Sequence, residues 1–452
     1  MSDVIVRGGM VVGPAGVRAA DVRIDGERIA EVGPGLSGAG EVIDARGLLV
    51  MPGVVDVHVH FNEPGRADWE GGRSGSHALA AGGGTTFVDM PLNSTPCVLT
   101  GRDCDLKRAA LEAVSLADFG LWGGLVPGHV DDMPAMVERG VIGFKAFMCD
   151  SGLPEFPRAD DETLRAGMVM ARRLGVPVAV HAEDESMVRD AAVHASGNGA
   201  RAFLDSRPLG AELTAIDRAL QLAGETGASL HIVHVSSGQG VALAAEARRR
   251  GVDVSIETCP HYLAFVDADL ERLDVVGKCA PPFRSMTQQR ALWDALIDGR
   301  LDIVASDHSP APPSMKVAGD FRRSWGGIGG VQSTLGVMLE EGAHARKVPL
   351  ERLASLLSEM PARRFGIPRK GKIAPGFDAD LALVDFETTW TLAREQLLQR
   401  HPMSPYVGKT FRGRVMRTIR RGETIFADGR MVAGGRGRMI RPEPGKGVSW
   451  RM

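Results

Sequence analysis

Between residues 52 and 370 the chain alternates short, β-prone apolar runs with amphipathic stretches of helical period. Eight strand candidates stand out: 54–60, 85–91, 118–126, 143–148, 177–183, 230–236, 254–260 and 302–308. Helical patterns lie between several of them. One runs from Asp161 to Leu174 and stops at Gly175; another runs from Glu212 to Ala223, between Pro208 and Gly224; a third runs from Val241 to Arg250 and stops at Gly251. Basic residues crowd the ends of the first and third, where the helix dipole favours them. Strand, helix, strand repeated eight times predicts an α/β fold with a parallel (β/α)8 TIM barrel.

The flanks read differently. Val4–Val6, Met10–Val12, Val22–Ile24, Ile29–Val32 and Val42–Ile43 are short β-prone pieces separated by Gly, Pro and Asp. After residue 370 the same style returns in Leu381–Val384, Val415–Ile419 and Thr424–Phe426, with Asp428-Gly429 as a hairpin turn. The predicted division is a barrel over 52–370 and one small β-sandwich module assembled from 1–51 and 371–452. Arg436-Gly437-Arg438 and the last residues read as a loose tail.

A length of 452 residues with 44% apolar content suits a barrel with an appended module. Charged residues make up 24% and the net charge is −3, which points to no nucleic-acid and no membrane-surface partner. No apolar run approaches a membrane span, and the N-terminus lacks a basic segment followed by an apolar block. Five scattered cysteines without a C-x-x-C fit a reducing cytoplasm rather than a disulfide framework.

In a barrel of this kind, chemistry sits at the C-terminal ends of the strands. The first strand ends in His58 and His60, two apart and so on one face. Alone, that pair reads equally as two solvent-facing histidines or as two ligands of one divalent metal. The fourth strand carries Lys145 in an apolar run, the fifth ends in His181, the sixth in His234, and the eighth in Asp307. Each has a bland reading by itself: a hydrogen-bonded core histidine, a turn-capping aspartate, a lysine that reaches out to solvent. Six such readings at one end of five strands are improbable together, and the set reads as a metal site.

Lys145 sharpens this. A bare ammonium among metal-ligating histidines repels cations and is costly to bury. Reaction with CO2 makes it a carbamate, an anionic ligand with two oxygens that bridges two metals. The set then divides into His58, His60 and Asp307 on an inner metal and His181 and His234 on an outer one. Two divalent ions about 3.5–4 Å apart share a hydroxide and polarise a carbonyl, which predicts hydrolysis of an amide-like bond. Zinc, cobalt, manganese and iron all suit these ligands.

At this point the chain resembles the amidohydrolase superfamily, in its cyclic-amidohydrolase branch of dihydroorotases, hydantoinases and allantoinases. The resemblance covers nearly the whole chain. It is carried by Met51-Pro52-Gly53-Val54-Val55-Asp56-Val57-His58-Val59-His60, Gly84-Thr85-Thr86, Gly143-Phe144-Lys145, Val180-His181-Ala182-Glu183, His234-Val235-Ser236, Ser306-Asp307-His308-Ser309-Pro310 and the return into the module over 371–381. It implies a binuclear, usually zinc, centre with an N6-carboxylated Lys145, Asp307 as proton shuttle, a small-molecule substrate and a homotetramer. Within the branch, the stretches 60–66, 89–94, 143–148, 257–263 and 278–284 are similar to those of allantoinases. Dihydroorotases usually carry an arginine for the substrate carboxylate where this chain has Asn62, and a neutral asparagine suits an uncharged ring. Hydantoinases tend to have a tyrosine after the lysine strand, and Met148-Cys149-Asp150-Ser151-Gly152 has none. A dihydropyrimidinase-type hydantoinase is the alternative expectation; a non-catalytic scaffold is disfavoured because all six ligands are present.

Substrate contacts are more open. Asn93 is either a urea-binding amide or a turn residue before Thr95-Pro96, and Arg66 either orients substrate or forms a surface salt bridge. The loop 325–330, with Gly327 and Ile328, either presents backbone groups to the ligand or forms a mobile lid. His261 and His308 are expected to support the ligands. His77, His129, His194, His231, His344 and His401 are expected to be structural or solvated.

Overall fold

The computed structural model describes residues 4–432 and 436–443. Eight parallel strands occupy the middle of the chain: Val54–Val59, Gly84–Asp89, Asp118–Leu121 continued by Gly123–Gly124, Phe144–Phe147, Val178–His181, Leu230–Ile232, Val254–Thr258 and Ile303–Val304. These are the eight predicted from the sequence. Each pairs in parallel with the next. The third strand breaks at Trp122, so its first half pairs backward and its second half forward. The first strand meets the region after the eighth through a parallel bridge between Val59 and His308 and a 2.7 Å bond from His60 N to His308 O. The strands thus form a ring, as the α/β barrel reading expects.

The ring is packed, not hollow. Val55, Val57, Val88, Ile142, Ala179, Val233, Ile303 and Ala305 form one buried cluster with Trp122. Trp122 donates its indole N–H to Val57 O at 2.9 Å, and Phe365 packs edge-on against it. A register shift between Asp56 and Val59 resets the alternation of the first strand. Val55 and Val57 therefore fill the interior while His58 and His60 both open onto the cavity above it.

The helix Asp161–Leu174 has the bounds its sequence predicts. Asp160 caps it by accepting from Thr163 N at 2.9 Å, and Gly175 ends it in the left-handed conformation. The next predicted helix is longer, Leu209–Thr226. It runs through Gly224 and stops at left-handed Gly227. The third, Gly238–Arg249, begins three residues earlier than expected because Ser237 caps it.

Both chain ends build one module, as the sequence predicts, and among the described residues its nine strands are joined by continuous pairing. Leu49–Pro52 is the seam: it pairs with Val4–Gly13 on one side and antiparallel with Leu381–Thr391 on the other. A bulge at Arg7-Gly8 lets Val4–Gly13 pair first with Glu41–Asp44 and then with Leu49–Pro52. A Cβ on Gly9 would meet Val50 Cγ2 at 2.4 Å. The sheet has its own apolar core, including Val6, Val22, Ile24, Val50, Leu381 and Ile419. Lys370 ties it to the barrel: its ammonium, buried, lies 2.8 Å from Asp118, 2.7 Å from Asp380 and 3.1 Å from Asp378.

The tail reading needs correction over its described part. Residues 436–443 run along the third strand, with bonds from Gly437 N to Ser115 O, Phe119 N to Arg438 O and Ile440 N to Phe119 O. The outer edge of that strand offers unpaired backbone groups, and the stretch satisfies them. The last residues, 444–452, lie outside the described residues.

Candidate active site

A cavity of about 460 Å3 opens at the C-terminal ends of the strands, and His58, His60, Lys145, His181, His234 and Asp307 all line it. The six side chains singled out in the sequence are thus brought together, and all are buried. One ligand atom each from His58, His60 and Asp307 lies within 4.8 Å of the others. Asp307 Oδ1 is 3.2 Å from His58 Nε2 and 3.5 Å from His60 Nε2. His181 Nδ1 is 3.1 Å from His234 Nε2. His234 and Asp307 have positive φ, as do Asn62 and Asn93. Such backbone strain in non-glycine residues clusters at functional sites.

Outer partners fix which ring nitrogen faces the cavity in His58, His181 and His60, while His234 Nδ1 is buried without a partner. Glu257 Oε1 accepts from His58 Nδ1–H at 2.7 Å, which leaves the Nε2 lone pair toward Asp307. Glu183 Oε2 does the same for His181 Nε2 at 2.8 Å, leaving Nδ1 toward His234. Asn93 Nδ2 lies 3.2 Å from His60 Nδ1, and Asn93 Oδ1 is buried without a partner. A half-turn of the amide puts Oδ1 on Nδ1–H and frees His60 Nε2 as well. Burial lowers the pKa of His60, His181 and His234, so all three are neutral at pH 7.

Burial works against ionising Asp307, but the His58 and His60 imidazoles outweigh it and hold the carboxyl below the usual range. Glu257 and Glu183 are brought to about 2 against the same penalty, by His58 and His231 in one case and by Arg207 and His181 in the other. Lys145 is brought down to about 8 by burial. Among the described residues no carboxylate pairs with it, and its ammonium lies 5.1 Å from the Phe147 ring centroid. The shift raises the share of neutral amine, the form that reacts with CO2, well above that of an ordinary lysine.

The donor set fits divalent cations: ring nitrogens of His58, His60 and His181 aimed at the cavity, with His234 beside them and an ionised carboxylate. A second trio, Cys149, His181 and Glu183, also lies within 4.8 Å. It is a poorer fit, since burial pushes the Cys149 thiol up to about 12 and Glu183 is bound by Arg207.

The expected substrate contacts scatter. Gly327 lines the cavity, and a Cβ there would meet Ser309 O at 1.9 Å. Ile328 instead pairs with His308. Asn93 lines the cavity but spends its amide on His60. Asn62 is fully buried with neither amide atom partnered. Arg66 pairs with Glu155 at 2.5 Å and packs over Trp69. His308 accepts from Gly330 N and Val331 N at 3.1 and 3.3 Å and so supports the 325–330 loop.

Sequence reasoning gave no role to Glu257, Glu183, Arg207 or Lys278. Glu257 carried the same signal as Lys145, a charged residue inside the apolar strand Val254–Thr258. His231, expected to be structural, bonds Ser255 Oγ at 2.8 Å and Glu257 Oε2 at 3.1 Å.

Residues 49–425 match the amidohydrolase family. The chain is 56% identical over 446 residues to an allantoinase of Solibacter usitatus, covering 98% of each chain. It is 51% identical to an allantoinase of Deinococcus radiodurans, covering 97% of this chain and 99% of that one. The solved structure of an L-hydantoinase (dihydropyrimidinase) from Arthrobacter aurescens superposes with a TM-score of 0.95 at 32% identity, over 98% of this chain and 100% of that one. With this likeness running the length of both sheet and barrel, the chain belongs to the amidohydrolase family, in the branch that holds the allantoinases and hydantoinases.

Proposed function

We propose that the protein hydrolyses the ring amide of allantoin to allantoate. The observation that carries this is the full-length likeness to allantoinases, 56% identical in one case, of a chain whose six candidate side chains meet at one cavity. His58, His60 and Asp307 would hold one divalent cation, His181 and His234 a second, with Lys145 as a bridging carbamate. Zinc is the cation we favour. Bound there, the two ions supply Lewis-acid chemistry, acidifying water and polarising the ring carbonyl.

The chain's own residues do the rest. Glu257, Glu183 and Asn93 hold the imidazoles of His58, His181 and His60 in the ligating tautomer. Asp307, ionised at neutral pH, takes a proton from the attacking water and delivers it to the ring nitrogen as the amide bond breaks. No free cysteine nucleophile is needed, and the Cys149 thiol stays protonated. The cavity arginines Arg207 and Arg189 face Glu183 and Glu185, so neither guanidinium is held open for a substrate carboxylate. A small-molecule substrate, a cytoplasmic location and a homotetramer belong to the same reading; light scattering tests the last.

The test is a substrate panel on metal-replete protein: allantoin, hydantoin, dihydrouracil and dihydroorotate. Allantoate release well ahead of the other products supports the reading. Preference for hydantoin or dihydrouracil would move the protein to the dihydropyrimidinase-type alternative that its structural likeness to hydantoinases keeps in view.

A further inference from the structure

The stretch 278–284 has no part in the metal chemistry, yet Lys278 lines the cavity. Its ammonium donates to Phe321 O and Ser324 O, each at 2.5 Å, and lies 5.2 Å from the Phe203 ring centroid. Its carbonyl accepts from Gly327 N at 2.8 Å. Behind it, Lys316 holds Gly327 O at 2.9 Å. Together these bonds fix Ser324, Trp325, Gly326 and Gly327 as one wall of the cavity.

The cavity's arginines are matched by carboxylates, Arg207 by Glu183 and Arg189 by Glu185 at 3.9 Å. The hydrogen bonds of Lys278 go to neutral carbonyl oxygens instead. An ammonium has three N–H donors, and two are on Phe321 and Ser324. The ammonium already holds two carbonyl oxygens, and among the described residues its third N–H has no oxygen partner. Burial brings Lys278 to about 8, so the group is still mostly charged at pH 7.

We propose that Lys278 is a specificity-determining residue whose remaining N–H binds the ureido carbonyl of the substrate, selecting a ureido-bearing ring over a bare hydantoin ring. This rests on the allantoin reading above. A site built to hydrogen-bond a substrate group discriminates strongly against an analogue that lacks it. A purely structural lysine that only pins the wall would affect both rings alike.

The test compares metal-replete wild type, Lys278→Met and Lys278→Gln. It reads kcat and KM for allantoin, and the inhibition constant of hydantoin as a competitor. In Lys278→Met, kcat/KM for allantoin is expected to fall at least tenfold further than hydantoin affinity does. Lys278→Gln, which keeps N–H donors without the charge, is expected to fall between. Should Lys278→Met fail to show a normal melting curve, Lys278→Gln carries the comparison, with a several-fold selective loss expected. Equal weakening of both ligands, or no change in either, overturns the proposal. A wild type that does not turn over allantoin refutes the functional reading by itself; calorimetric binding of allantoin and hydantoin then reads the same ratio for Lys278.

Discussion

Glu257 Oε1 sits 2.7 Å from His58 Nδ1, and its other oxygen is 3.1 Å from His231 Nε2. The same carboxylate accepts from His234 N at 3.2 Å. One buried acid on the seventh strand thus orients a side chain from the first and the backbone of the sixth. Outer partners of this kind set both ligand orientation and basicity. Glu257→Gln is expected to lower metal affinity about 10–100-fold. Competition with a chelator, read as metal per chain, checks it; unchanged affinity would remove Glu257 from the account.

Asp307 is assigned the proton transfer. Asp307→Asn is expected to lower kcat by about a hundred- to ten-thousand-fold, the usual range for a positioned acid–base group. Metal content measured alongside separates lost proton transfer from lost metal. Near-full activity with both metals retained would show that the proton takes another route.

Lys145, brought to about 8, has a larger neutral fraction for reaction with CO2 near neutral pH than an ordinary lysine has. Reconstitution of metal-stripped protein is expected to need bicarbonate, and Lys145→Met is expected to bind metal poorly and lose activity. Equal recovery in CO2-free buffer would count against the carbamate.

Lys316 gives a pH signature that does not involve the metal ligands. Burial first, then the neighbouring Lys278, takes it from 10.5 to about 7. Between those values the unfolded chain binds more protons at this position than the folded one, so stability rises with pH across the window. A neutral amine still has two N–H donors for its bonds to Gly327 O and Val275 O. The melting temperature of wild type is therefore expected to gain on that of Lys316→Met from pH 7 to 10. Parallel profiles would contradict this.

The join between sheet and barrel rests on buried charge. Lys370→Met leaves Asp118, Asp378 and Asp380 facing one another. Removing one partner from such a group typically costs about 3–5 kcal/mol. Denaturant unfolding checks it, and a loss under about 1 kcal/mol would mean that the carboxylates relax into water.

The barrel was legible because strand and helix periods alternate, and the helix Asp161–Leu174 because Asp160 and Gly175 punctuate it. Gly224 and Gly227 lie three apart, and local sequence alone does not say which one turns left-handed; packing of Leu209–Thr226 on its neighbours decides. Strand ends could be asked what they carry, so His58, His60, Lys145, His181, His234 and Asp307 could be gathered without a structure. Their outer partners could not. Glu257 becomes meaningful only when the ring brings it beside His58, 199 residues away. Asn62 and Arg66 follow His60 closely in sequence, but the turn at 62–66 directs one into the protein and the other to Glu155.

Allantoin turnover against bound metal, read in one titration, decides whether the six cavity side chains act through two metal ions. Stripped protein is supplied with zinc in steps, in bicarbonate buffer, while allantoate is measured. Activity is expected to be absent without metal and full at two ions per chain. Full activity after complete metal removal, or two ions bound with no allantoate formed, would contradict this.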